Sequence, residues 1–150
     1  MKKFLALIMS FLSFAPSHAD TSNFVSYQDT KPVLKKLSLG QMPYEFFGLT
    51  SNGVDCVYFV FENGIYSLEF EVMVEPQKHV AEKFKEWASI NGLHVSQTTY
   101  GNQPQYTSTS TAPVYRVILG GNLEETYRFG LSFYHFAFGY EESKLFELVP

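Results

Sequence analysis

Few residues in this chain have the types and spacing that chemistry needs. Cys56 is the single cysteine, and after the first nineteen residues the histidines are His79, His94 and His135, with no HxH, HExxH or CxxC spacing among them. Ligands so scattered do not converge on a metal in the way a zinc or copper site requires, so no metal and no other cofactor is expected. A nucleophilic thiol needs a base or a positive charge beside it to form thiolate. Cys56 is instead expected opposite Glu71, where a carboxylate raises a thiol's pKa, so it reads as a partly buried structural thiol. The GxSxG elbow of serine hydrolases is missing, as are the GxGxxG and GxxxxGK[ST] loops that cradle phosphate.

Paired carboxylates are the remaining chemical possibility. Glu69 and Glu71 are two apart, so on a strand they share one face about 7 Å apart, a spacing at which two acids can run acid–base or glycoside chemistry. The plainer reading is a sheet face kept wet by alternating Glu, with Tyr58 beside Glu69. Arg116 and Arg128, the arginines of the chain, fall at the outward phase of aromatic segments, and either could grip an anion or stack on a ring. Pairing with Glu69 or Glu71 is the simpler expectation. Together with Tyr106, these residues (Tyr58, Glu69, Glu71, Arg116 and Arg128) are the candidate contact surface.

One turn should position most of them. Val57 to Phe61 and Ile65 to Val74 flank Asn63-Gly64, and Asn-Gly supplies the two positive-φ positions of a two-residue hairpin turn. The register then follows: Phe61 faces Tyr66, Phe59 faces Leu68 and Val57 faces Phe70. Those six side chains share one face, and their burial is worth on the order of 10 kcal/mol before ordering costs. The opposite face pairs Val60 with Ser67, Tyr58 with Glu69 and Cys56 with Glu71.

Around this hairpin the periodicity changes. Asp20 to Gln28 reads as a loose arm or an edge strand. A short helix over about 31–39 follows, with Asp29-Thr30 as capping residues, Pro32 in the first turn and Gly40 at the exit. Pro43 to Thr50 fits either a strand or one helical turn. Val80, Phe84, Trp87 and Ala88 form one stripe of a helix from Gln77 to Asn91, able to lie on the hairpin's apolar face. Leu93 to Tyr100 and Val114 to Leu119 read as strands. Between them Gly101 to Pro113, rich in Ser, Thr and Gln, has too little apolar surface to pack and reads as a solvated loop.

The segment from Tyr127 to Tyr140 supports two periods. Tyr127, Phe129, Leu131 and Phe133 alternate as in a strand, and the phase then slips to Tyr134, Phe136, Phe138 and Tyr140, as a β-bulge would produce. Phe129, Phe133, Phe136 and Tyr140 also fit a helix. Gly130, Gly139 and the ring content favour a bent strand. Gly121 to Glu125 reads as a capped turn with Asn122 as the cap, and Glu141 to Val149 as a final short helix or edge segment.

The chain begins with Lys2-Lys3, an apolar run from Phe4 to Phe14 and Ser17-His18-Ala19. This is the pattern of a bacterial export signal cut before Asp20, and the run is shorter than the roughly 20 residues of a membrane span. The expected division is residues 1–19 as a cleavable signal peptide and residues 20–150 as one α+β domain. That domain should be an antiparallel sheet of about five strands with one main amphipathic helix packed on one face. Of 150 residues, 11 are Lys or Arg and 15 are Asp or Glu; losing Lys2 and Lys3 takes the net charge from −4 to −6. A charge of that sign argues against nucleic acid. The sequence therefore points to a periplasmic or secreted, non-catalytic binding or inhibitory module, such as an immunity or inhibitor protein, whose partner is another protein, with no membrane anchor. A small cell-envelope hydrolase is the alternative from a different class. A carrier whose 129–140 rings line a cavity for an apolar ligand is a third.

Overall fold

The computed structural model describes residues 23–99 and 111–150. The expected export signal, Tyr106 and most of the 101–113 tract lie outside the described residues. Seven strands form one antiparallel sheet: β1 (Phe24–Ser26), β2 (Phe46–Thr50), β3 (Val57–Glu62), β4 (Ile65–Glu71), β5 (Val95–Thr99), β6 (Pro113–Gly120) and β7 (Leu145–Val149), in the order β1-β7-β2-β3-β4-β6-β5. Three α-helices accompany it: α1 (Lys31–Ser38), α2 (Gln77–Ile90) and α3 (Leu123–Phe138). The α+β class and the single antiparallel sheet agree with the sequence reading. Among the described residues the strand count is seven, not about five: one expected strand is a helix, and β1, β2 and β7 are added, each with three to five residues, too few to show a period of their own.

The hairpin holds in its expected register. Asn63 has φ 53° and Gly64 φ 79°, and Phe61 pairs with Tyr66, Phe59 with Leu68, Val60 with Ser67 and Tyr58 with Glu69. Pleating then sends Val57, Phe59, Tyr66, Leu68 and Phe70 to one side, where all five are buried. Phe47 of β2 stacks on Phe59 at 5.1 Å between centroids. From the helices, Phe84 of α2 lies 6.2 Å from Phe70, and Phe133 of α3 sits edge-on to Phe70 at 6.4 Å and to Phe84 at 5.1 Å. The Tyr66 hydroxyl reaches past the sheet to donate to the Leu34 carbonyl of α1, 2.9 Å away.

Residues 123–138 are a helix, which corrects the bent-strand reading. Asn122 caps it as expected, its Oδ1 accepting from the Glu125 N–H at 2.9 Å. The two glycines that seemed to oppose a helix serve it. Gly139 takes φ 72° and ends it in the left-handed conformation. Gly130 lies where a Cβ would overlap the Tyr27 hydroxyl and come within 2.8 Å of the Phe59 ring, so only a glycine lets this helix approach the sheet so closely. The 43–50 ambiguity resolves as strand β2, and the arm becomes edge strand β1. The C-terminal segment is neither helix nor edge, since β7 lies between β1 and β2. At α1 the expected cap is not formed: Thr30 turns its hydroxyl back to the Tyr27 carbonyl at 2.7 Å. Among the described residues no helix is long and apolar enough to cross a membrane.

Candidate functional site

The second face of the sheet alternates with the first. It receives Phe46 and Gly48 from β2, Tyr58 and Val60 from β3, Ser67, Glu69 and Glu71 from β4, and Arg116 and Ile118 from β6. Three of the expected contact residues therefore meet on adjacent strands, since Tyr58 pairs with Glu69 and Glu69 with Arg116. The Arg116 guanidinium grips Glu69 through Nε at 2.6 Å and through Nη2, and its Nη1 lies 3.6 Å from Glu62. Pairing of Arg116 with a strand acid is thus as expected. Arg128 is not part of this group: it stands exposed on α3, because the segment is a helix.

The wet, acidic face is corrected. Glu69 is 1% exposed and Glu71 6% exposed, and their neighbours Val60, Ser67 and Val114 are buried too. Period-2 alternation assigns residues to a face but cannot say whether that face is dry. Exposure on this side lies at its margins, at Ile118 (63%) and at Tyr44. A row of rings crosses one of those margins, with Tyr44 stacked on Phe46 at 5.3 Å and Phe46 edge-on to Tyr58 at 5.9 Å.

The two carboxylates have different surroundings. Glu69 has its arginine, whereas Oε1 of Glu71 is buried with no hydrogen-bond partner. Burial, with Glu69 adding to it, pushes the Glu71 carboxyl up to about 7. Glu71 lines a cavity of about 150 Å³ together with Cys56, Tyr58, Met73, Val74 and Gln77. Gln77 fixes one wall, its Oε1 accepting from the backbone N–H groups of Met73 at 2.7 Å and Val74 at 3.0 Å. Cys56 is half-buried, and its thiol is pushed up to about 12 by burial, with Glu71 and Asp55 adding to the effect against a hydrogen bond from Tyr58. A thiol held protonated in this way is a poor nucleophile at neutral pH.

Sequence reasoning missed two features beside this cavity. Asp55 is fully buried and ties the β2–β3 connection, accepting from the Thr50 hydroxyl at 2.7 Å, the Ser51 N–H at 2.8 Å, the Ser51 hydroxyl and the Tyr140 hydroxyl at 2.9 Å. Burial alone would raise its pKa, but these donors hold it below the ordinary carboxylate value. The run Thr50 to Asp55, dense in residues that bond to local backbone, was the available signal. The other is Gly48, where a Cβ would lie 2.9 Å from the Cys56 sulfur and 2.9 Å from the Tyr58 ring, so its lack of side chain makes room for both.

The histidines take no part in this group. His79, His94 and His135 are all exposed, and His135 lies 3.3 Å from Glu141. Among the described residues no group of three or more His, Cys, Asp or Glu could hold a metal. Set against known proteins, the chain matches no family model, no curated protein and no solved structure.

Proposed function

We propose that this chain is an exported, periplasmic or secreted, non-catalytic binding module, an immunity or inhibitor protein being its concrete form, which meets another protein through the sheet face opposite the helices. One observation carries the reading: the contacts of all three helices run to the same phase of the sheet, through Phe59, Tyr66 and Phe70. The other phase offers the exposed Ile118 and Tyr44 at its margins, with Tyr58 and Arg116 half-buried between them. Tyrosine and arginine at the border of an apolar strip are the side chains that protein interfaces favour. The sequence-derived charge of −6 for the exported form suits a partner with a basic surface.

The geometry gives less support to the alternatives. A hydrolase would need a base near Cys56 or Glu71, and the histidines point elsewhere. A carrier would need the 129–140 rings to line space, yet Phe133 is packed against Phe70, Phe84 and Trp87.

A photo-crosslinking residue placed at Ile118, and separately at Ile90 on α2, tests the surface in cells producing the full chain. Both positions are exposed. The expected result is one discrete protein adduct from position 118 and none from position 90, on a chain whose N-terminus is Asp20. Equal adducts from both positions, or none from 118, would remove the sheet face from consideration; an intact residue 1 would remove export.

A further inference from the structure

The cavity beside Glu71 holds an acceptor that the fold leaves without a donor. Arg116 is committed to Glu69 and Glu62. The Gln77 carbonyl is occupied by two backbone N–H groups, and its amide faces the Val54 carbonyl 3.5 Å away. The Cys56 sulfur accepts from Tyr58, and its S–H is only a weak donor. Among the described residues Glu71 therefore has a buried carboxyl oxygen with no hydrogen-bond partner and no cation of its own, an arrangement that lowers stability unless a ligand supplies what is missing.

The shape of the cavity narrows the choice of ligand. About 150 Å³ is room for about five water molecules, or for a short alkyl chain and its head group. The rim residues Met73 and Val74 are 51% and 50% exposed, so they offer apolar walls at the mouth while the carboxyl lies deeper. A guanidinium is best held by both oxygens of one carboxylate in its plane, and Glu71 presents a single buried open oxygen, Oε1. A metal ion would need more than one carboxylate here. A compact ammonium on an apolar stem satisfies both the mouth and the depth.

We propose that the Glu71 cavity receives a primary ammonium on an alkyl stem, the end of a lysine side chain of the partner protein. The lysine as source rests on the sheet-face reading above; the ammonium chemistry rests on the cavity alone. Occupation pairs the Glu71 carboxylate with a cation, any proton it still carries passing to solvent, and the methylenes lie against Met73 and Val74.

Titration of the purified full chain with n-butylammonium chloride at pH 8, followed by NMR at the Val74 methyl groups, tests this directly. Wild type should give a saturable shift. Glu71→Gln, which keeps the shape and removes the charge, should bind about tenfold more weakly or worse, and tetramethylammonium, which has no N–H, should be weaker by a similar factor. Met73→Lys, at an exposed rim position, should fill the cavity with its own side chain and abolish the butylammonium shift, so the test survives a Glu71 variant that fails to fold. No saturable shift in wild type, an equal response from Glu71→Gln, or an equal response to tetramethylammonium would each overturn the site. Loss of butylammonium binding with the adduct at position 118 retained overturns the cavity and leaves the sheet-face reading standing. Butylammonium binding without that adduct overturns the sheet-face reading, and with it the lysine as source.

Discussion

Glu71 and Asp55 both act on the half-buried Cys56, and their own carboxyls are shifted in opposite directions. Asp55 is surrounded by donors and stays ionised well into acid. Glu71 faces Glu69 along its own strand and Cys56 and Tyr58 across from it, with Arg116 turned to Glu69, so nothing stabilises its charge. Its ordinary value is 4.5 and its folded value about 7. Between those values the unfolded chain ionises at this position while the folded chain holds its proton, so stability falls as pH rises through the window. The loss is complete above about 7 and absent below 4.5. Its size is on the order of 3 kcal/mol. Denaturant unfolding of wild type and Glu71→Gln from pH 4 to 8 should therefore show the variant gaining on wild type by that order as pH rises. Parallel profiles would mean that the carboxyl is not desolvated in solution.

At the scale of the element, α3 shows how a sequence rule can mislead in sign. Propensity alone says that Gly130→Ala should strengthen the helix by about 1 kcal/mol. The Tyr27 hydroxyl and the Phe59 ring occupy the place of the added methyl, and Tyr27 is held there by donating to the Tyr127 carbonyl at 2.7 Å. Overpacking of this kind costs about 1–3 kcal/mol, and the neighbours are fully buried rings that cannot swing aside. Gly130→Ala should lower the thermal midpoint, measured by circular dichroism at 222 nm. A midpoint raised above wild type would show that α3 stands further from the sheet than described.

For the whole molecule, the first and last described strands pair with each other in the sheet. β7 carries the last residues of the chain and lies between β1, near the start of the described residues, and β2. Phe146 at its middle is fully buried against Tyr27, Tyr134 and Tyr140. Removing residues 141–150 takes out an interior strand and leaves β1 with no neighbour in the sheet. The truncated chain should lose its cooperative unfolding transition, whereas a frayed edge strand would be lost for about 1 kcal/mol or less. Retention of a sharp transition with only a small shift would place β7 outside the cooperative unit.

The sequence by itself determined what depends on neighbours along the chain. Asn63-Gly64 selects its turn, the alternation on either side selects a register, and Gln77 to Asn91 has a single apolar stripe, so the central hairpin and α2 were legible. Pairing of Arg116 with Glu69 or Glu71 was legible too, from the charges at the outward phase of two strands, but the register that chose Glu69 was not. Tertiary structure decided what the local pattern held in balance. Rings at both periods left 127–140 undecided until Phe59, Tyr27 and Gly130 came together, and three short strands became visible only through their neighbours. It also decided that Glu69 and Glu71 are dry. Alternation sorts side chains into two faces, but whether water reaches a face depends on what packs over it, and that is settled between residues far apart in the chain.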